Sequence, residues 1–180
     1  MTDLDQSLDW VIDSEGPEVN RSSDEPGGIS KYGVSLLAYA DDCKHNRRLV
    51  PTADDIANLT EAQARTFYTE VFAAGIRFGE LKSGVNYRLF DIAISLGIGG
   101  AIALLEMMTM RWPMRGTFDD DLLTDINAID PNVVITVLSS MWIVTKRTQG
   151  GAAGWEKYGH GWTNRNIRVT AQARGMRASQ

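Results

Sequence analysis

The spacing of apolar residues along this chain of 180 residues predicts helices over most of its length. Apolar side chains recur every three or four positions, which places them on one face of a helix. Short helices are predicted near Pro51 and after Asp119. The longer predicted helices cover residues 5–14, 35–45, 60–74, 86–96, 99–111, 131–150 and 155–174. The pattern therefore predicts an all-α fold.

One segment does not fit a helix. Between Glu15 and about Ser35 the chain is rich in glycine, proline and serine, residues that favour turns. Gly16 and Pro17 end the first predicted helix. We expect a small β-hairpin or an irregular loop here, inserted into the otherwise helical fold.

The most apolar run extends from Ile92 to Met110. Several glycines and Glu106 interrupt it, and it is short for a membrane span. We therefore predict a buried core helix and no stable membrane insertion. The N-terminal residues 1–5 are acidic and lack the basic and apolar regions of a secretory signal.

Charge is distributed unevenly. The formal net charge is −5, which disfavours general nucleic-acid binding, and we expect no nucleic-acid partner. After Pro131, seven lysines and arginines face a single acid, Glu156, so this part carries about +6 and the remainder about −11. Such a basic region favours either an anionic surface or polymer, or a solvated helix face that complements helix dipoles.

Cysteine and histidine are scarce. Cys43 is the single cysteine, so no disulfide can form within the chain, which suits synthesis in a reducing compartment. His45 and His160 have no partners at metal-ligand spacing. We therefore expect no metal and no cofactor.

The turn-rich segment contains the grouping that glycosidic bond cleavage requires. Glu15 at a helix end is followed by Asp24 and then by Ser30. A glycosidase needs one protonated carboxyl and a second group that activates water or stabilises positive charge. Apolar neighbours and the negative end of the helix dipole favour a protonated Glu15, whereas Asp24 lies among polar residues that favour ionisation.

This grouping also has a simpler interpretation. Glu15 could be a surface residue at a helix end, and Asp24 could be a turn former. Glu18 and Glu25 are rival acids, although both lie among turn residues that favour ordinary titration. Spacing alone leaves these alternatives open.

The same segment resembles the N-terminal signature of glycoside hydrolase family 108, whose members are N-acetylmuramidases, many from bacteriophages and prophages. The resemblance rests on Glu15-Gly16, Asn20, Asp24, Pro26-Gly27-Gly28-Ile29-Ser30 and Tyr32-Gly33-Val34. It continues in Phe67-Tyr68, in Leu89-Phe90-Asp91-Ile92-Ala93 with Gly97, and in Gly161-Trp162-Thr163-Asn164-Arg165. It thus extends over most of the chain and implies a lysozyme-like helical domain.

The spacing of Glu15, Asp24 and Ser30 is also similar to that of phage T4-type lysozymes. This second resemblance implies that Glu15 is the general acid, Asp24 the water-activating carboxylate and Ser30 the water-orienting hydroxyl. As substrate-binding residues we predict Asn20, Gly28, Tyr32 and Trp162. Loop packing for Tyr32 and core packing for Trp162 remain alternatives.

The chain departs from the family pattern at several positions. Pro17 replaces the usual second glycine after the glutamate, Ser30 replaces threonine, and Ser95 stands where asparagine is common. The family's C-terminal half usually carries an Asp-Gly-x-x-Gly turn, whereas Asp119, Asp120 and Asp121 stand here without those glycines. This last departure weakens the expectation of conventional wall binding.

Together, the resemblances imply a catalytic domain over residues 1–115 and a peptidoglycan-binding-like helical subdomain over residues 116–180, packed on it. The expected function is an endolysin-type muramidase that cleaves peptidoglycan, acts as a monomer, accumulates in the host cytoplasm and reaches the wall through a holin. The alternatives are a lytic transglycosylase and a noncatalytic wall-binding helical protein.

Overall fold

The predicted fold class is confirmed in the computed structural model, which describes residues 1–21, 27–46 and 48–178. Helices dominate, and one short antiparallel hairpin follows the first of them. The elements are α1 (Asp3–Glu15), β1 (Ser30–Lys31), β2 (Val34–Ser35), α2 (Leu36–His45), α3 (Ala53–Ala57), α4 (Glu61–Phe67), a π-helix (Tyr68–Ala73), a 3-10 helix (Phe78–Glu80), α5 (Val85–Met108), α6 (Asp120–Ala128) and α7 (Pro131–Ala178).

The chain forms two compact units, residues 1–71 and 72–180. The predicted division after residue 115 is of a different kind, because it separates a catalytic part from a wall-binding part. That division stays a prediction.

In the first unit, helix α1 begins and ends as its sequence indicates. Thr2 caps its N-terminus in a reciprocal capping box with Asp5, which satisfies two backbone donors of the first turn. Leu8 and Ile12 are buried on one face. The helix stops at Glu15 because Gly16 takes a positive φ of 72°, a conformation that glycine adopts readily.

The turn-rich segment contains the β-hairpin. Ser30 pairs with Ser35 and Lys31 with Val34 across the two strands. The two connecting residues, Tyr32 and Gly33, both have positive φ, 51° and 75°. Two-residue turns with this backbone follow the natural twist of a hairpin. Positive φ is uncommon for tyrosine, so surrounding contacts must hold this turn.

The helix predicted over residues 60–74 is present in two parts. Thr60 and Gln63 form the expected capping box at the start of α4. After Phe67 the hydrogen-bond pattern widens into the π-helix, which begins at Tyr68. Such insertions are rare and are found frequently at functional sites.

In the second unit, the two helices predicted around residues 86–111 are joined in α5, with a break at Gly97, where φ is 79°. Length and composition would allow α5 to cross a membrane, yet 56% of its most apolar window is buried inside the protein. Its buried residues include Arg88, Asp91 and Glu106. This is the pattern of a core helix.

The last two predicted helices also form one element, α7, which is interrupted at Gly151 with φ 59°. Its two parts run back along each other. Ser139 and Thr170 share a hydrogen bond of 2.8 Å, and Arg174 donates to the Thr136 hydroxyl at 2.8 Å. The helix α7 is therefore a helical hairpin whose turn lies at Gly151.

Candidate active site

Glu15 is the last residue of α1 and is half-buried. Its position follows from the local sequence, because Gly16 turns the chain away immediately after it. The Gly16 N–H donates to the carbonyl of Ile12 at 2.9 Å, which closes the helix. The carboxyl thus extends from the end of a rigid helix whose apolar face is anchored in the core of the first unit.

Gly33 of the hairpin turn lies directly against the Glu15 side chain. A Cβ atom at Gly33 would stand 2.7 Å from Cγ and 2.9 Å from Cδ of Glu15, and 2.6 Å from the hydroxyl of Tyr68. These distances are too short for any side chain. Glycine at this position therefore allows the carboxyl group, the hairpin backbone and a tyrosine hydroxyl to meet.

Tyr68 holds the hairpin turn. Its side chain is 1% exposed, and its hydroxyl donates a hydrogen bond of 2.8 Å to the backbone carbonyl of Tyr32. The ring also packs edge-on against Phe67, with 6.0 Å between centroids. The sequence comparison marked Phe67-Tyr68 as part of a family resemblance but gave Tyr68 no role, so this contact is a new element of the site.

Ser30 lies at the centre of the hairpin region. It pairs with Ser35 on one side. On the other side it exchanges two backbone hydrogen bonds with Asn20, of 2.9 and 3.0 Å. The structure therefore brings the predicted residues Asn20 and Ser30 together and fixes their backbones. Asn20 is exposed, and Ser30 is half-buried.

The other predicted residues of this unit border the hairpin. Gly28 is exposed, with φ 73°. The Tyr32 ring is half-buried, and the Lys31 ammonium lies 5.6 Å from its centroid. The same ammonium donates to the carbonyl of Ala57 at 3.2 Å, which attaches the hairpin to α3. Asp24 and Glu25 lie outside the described residues, whereas Glu18 is exposed.

In the second unit, two segments of the family resemblance meet at Asp91. Arg165 donates to Oδ1 of Asp91 at 2.9 Å, and Arg88 donates to Oδ2 at 3.2 Å. Arg88 is fully buried, and its second terminal nitrogen donates to Asn166 at 2.7 Å. Burial lowers the pKa of Arg88 to about 10, against the opposing influence of Asp91. This network ties α5 to α7.

Trp162 belongs to an aromatic cluster on α7. Its ring centroid is 6.2 Å from that of Trp155 and 5.8 Å from that of Tyr158. The indole packs against Gly150, where a Cβ would stand 2.7 Å from it. Trp162 is half-buried, and its predicted role in substrate binding stays a prediction.

Ser95, one of the departures from the family pattern, has a packing role. Its hydroxyl accepts a hydrogen bond of 3.2 Å from the indole of the buried Trp142. Among the residues that the structure describes, no three His, Cys, Asp or Glu side chains are grouped to hold a metal ion.

Comparisons with known proteins agree with this architecture. A family model described as "Glycosyl hydrolase 108" matches residues 8–97, half of the chain. Among solved structures, SagA of Brucella abortus superposes with a TM-score of 0.82 and 21% sequence identity, covering 96% of this chain and 94% of that one. This likeness concerns the fold. A search of curated proteins finds no match.

Proposed function

Because the chain belongs to the glycosyl hydrolase 108 family, we propose that it is an N-acetylmuramidase with Glu15 as its general acid. Family membership makes it a glycosyl hydrolase and implies peptidoglycan as the polymer that it degrades. The finer proposal names the bond: the β-1,4 linkage between N-acetylmuramic acid and N-acetylglucosamine.

The observation that carries the proposal is the environment of Glu15. A half-buried carboxyl at a helix end faces a glycine that leaves no space for a side chain, and a buried tyrosine fixes the adjacent turn. Rigid placement matters because a general acid must lie within hydrogen-bond reach of the leaving oxygen.

In the proposed reaction, Glu15 donates its proton to the glycosidic oxygen as the bond to the anomeric carbon breaks. Asp24 accepts a proton from a water molecule, whose oxygen bonds to that carbon from the opposite face. Ser30, fixed between Asn20 and Ser35, orients this water. Such an inverting mechanism requires about 6.5–9.5 Å between the two carboxyls.

The first test is Glu15→Gln, which keeps the size of the side chain and removes the proton donor. We expect turnover of purified peptidoglycan to fall by about three orders of magnitude, because an essential general acid contributes on that scale. Glu18→Gln is the matched control: Glu18 is exposed, and this variant should stay near wild-type activity. Full activity of Glu15→Gln with a wild-type circular dichroism spectrum contradicts the assignment.

A second candidate activity uses the same acid. In a lytic transglycosylase, one glutamate acts as both acid and base and leaves an anhydro sugar. Mass spectrometry of the digested glycan separates the two reactions, since hydrolysis adds one water to each cleaved bond. We expect reducing-end muramic acid, and anhydromuramic products would replace the hydrolase proposal.

The biological setting that we propose is host-cell lysis by a phage or prophage endolysin. The enzyme would accumulate in the host cytoplasm as a monomer and reach the wall when a holin opens the inner membrane. Expression with and without a holin tests this setting, because lysis should require both proteins.

A further inference from the structure

The turn of the α7 helical hairpin carries a concentration of aromatic and basic side chains, none of which, apart from the predicted substrate-binding residue Trp162, has a role in the proposed reaction. We call residues 144–162 the α7 tip. Its rings are Trp155, Tyr158 and Trp162, and its cations are Lys146, Arg147 and Lys157. Glu156 is the one acid in this stretch of sequence.

The cluster is built into the backbone. Gly150 and Gly159 leave space for two indoles: a Cβ would stand 2.7 Å from Trp162 at the first and 2.8 Å from Trp155 at the second. Gly151 turns the chain with its positive φ, and Lys146 before the turn contacts Trp162 after it, so residues of both parts share one surface. The rings are thereby held together at a fixed place.

A cation lies over each ring. The Lys146 ammonium is 5.0 Å from the Trp162 centroid, and the Lys157 ammonium is 4.9 Å from the Tyr158 centroid. The Arg147 guanidinium is 5.6 Å from the Trp155 centroid. A sugar ring stacks on an open aromatic face, so this arrangement does not favour sugar stacking. It presents positive charge beside apolar surface instead.

Lys146 is half-buried within this surface. Burial and then the nearby charge of Arg165 lower the pKa of Lys146, against the opposing influence of Asp91. A further anion beside Lys146 would favour its charged form. Two of the tip's large side chains are also exposed: Val144 is 62% exposed and Tyr158 is 46% exposed.

We propose that the α7 tip binds the surface of an anionic lipid bilayer. Tryptophan and tyrosine favour the region of lipid headgroups, where the ring is shielded and its polar edge remains hydrated. Lysine and arginine at the same depth are attracted to negatively charged headgroups. A soluble polyanion would account for the cations alone, whereas a bilayer accounts for the cations, the rings and the exposed Val144 together.

Beside Gly151, an open groove of about 690 Å³ is lined by Arg147, Trp155 and Glu156, among others. A phosphate headgroup placed there would contact the guanidinium while its acyl chains continue along apolar surface. Binding is peripheral in this arrangement and needs no helix to cross the bilayer.

Co-sedimentation of the full chain with lipid vesicles tests the proposal. We expect binding to vesicles that contain phosphatidylglycerol and phosphatidylcholine, and none to vesicles of phosphatidylcholine alone. The double variant Arg147→Glu with Lys157→Glu should bind about tenfold more weakly or worse, because each basic residue near the surface contributes measurably. Lys44→Glu with Lys82→Glu, two exposed lysines elsewhere, is the matched control and should bind like the wild type.

The apolar contribution has its own variants. Tyr158→Ala and Val144→Ser alter side chains that are exposed in the free protein. Each should weaken vesicle binding about two- to fivefold, because less apolar area becomes buried against the bilayer. Each of these variants should still hydrolyse soluble glycan fragments at the wild-type rate, which shows that it is folded. Wild-type vesicle binding by Arg147→Glu with Lys157→Glu overturns the proposal.

Two other outcomes also overturn it. One is equal binding to soluble polyglutamate and to vesicles, with neither affected by Tyr158→Ala or Val144→Ser, which identifies a general polyanion surface. The other is binding to purified peptidoglycan that the charge variant abolishes while vesicles are not bound, which identifies a wall-binding surface.

Discussion

Tyr68 donates its hydroxyl hydrogen to the backbone carbonyl of Tyr32, with 2.8 Å between the oxygens. The donor opens the π-helix, and the acceptor lies in the hairpin turn 36 positions earlier in the sequence. The same hydroxyl contacts Gly33, which also contacts the Glu15 side chain. One partly buried hydrogen bond thus fixes the turn that faces the proposed general acid.

Tyr68→Phe removes this hydroxyl and keeps the ring. We expect the free energy of unfolding to fall by about 1 kcal/mol, the usual contribution of a neutral hydrogen bond. Glycan hydrolysis should fall several-fold, because the turn beside Glu15 loses its anchor. Urea unfolding and initial rates measure the two effects. Tyr158→Phe, an exposed tyrosine in α7, is the control for loss of a hydroxyl, and full activity of Tyr68→Phe would count against an anchoring role.

Gly33→Ala is expected to be more damaging. The new Cβ would stand 2.6 Å from the Tyr68 hydroxyl and 2.7 Å from Cγ of Glu15, at a φ of 75°. Positive φ alone costs about 1–2 kcal/mol for a residue with a side chain. The clash adds to this cost and displaces Glu15, so stability and activity should both fall.

Gly28→Ala separates the two effects. Gly28 has nearly the same φ, 73°, but a Cβ there would meet Leu36 only at 3.9 Å, an ordinary contact. Its loss of stability should therefore report backbone strain alone. If Gly33→Ala and Gly28→Ala lose the same stability in thermal unfolding, the close contact of Gly33 with Glu15 does not contribute to the effect.

Asp91→Asn tests the network that joins two family segments in the second unit. Asp91 is 3% exposed and pairs with Arg88 and Arg165. Removing its charge leaves the buried Arg88 without a counterion, which typically costs about 3–5 kcal/mol. Urea unfolding should show a loss of this size, and Arg88→Met made together with it should recover part of the loss.

Asp125→Asn is the exposed counterpart. Asp125 pairs with Arg111 at 2.8 Å, and its side chain is 54% exposed. Pairs in this setting contribute about 1 kcal/mol or less. If Asp91→Asn costs no more than Asp125→Asn, the buried network has no special structural role.

The sequence predicted the helices well because their apolar stripes and caps are local signals. Thr60 with Gln63 and the glycine after Glu15 could be recognised from neighbouring residues alone. The hairpin was one of two alternatives, since a Tyr32-Gly33 turn is not a common hairpin pair. Its unusual φ at Tyr32 depends on Tyr68, a partner distant in sequence.

The candidate site shows the same limit. Glu15 and Ser30 could be proposed from spacing and family resemblance, but nothing local predicted that Gly33 lies against the carboxyl. Likewise, Arg165 was matched as part of a motif, whereas its pairing with Asp91 spans 74 positions. The break near Gly151 was predicted from the glycines there, whereas the packing of the two parts of α7 along each other depends on residues distant in sequence. Periodicity within each helix does not report that packing.

The stability of the fold at acidic pH should depend on Asp119, which caps the N-terminus of α6. The Leu122 backbone N–H, donating to its carboxylate at 2.8 Å, and then the nearby charge of Arg111 lower the pKa of Asp119. A carboxyl whose pKa is lower in the folded than in the unfolded state stabilises the fold above its unfolded value, near 3.9. That contribution is lost as the pH falls through the folded pKa.

Asp119→Asn isolates this charge, because asparagine is an equally good N-cap. We expect the wild type to have the higher Tm at pH 7, and the difference should close as the pH falls below about 4. Asp119→Ala lacks the N-cap side chain, so it should be less stable than both the wild type and Asp119→Asn at every pH. Thermal unfolding of the three proteins between pH 7 and pH 3 measures these differences. A gap between wild type and Asp119→Asn that is constant across this range would mean that the Asp119 charge does not contribute to folding.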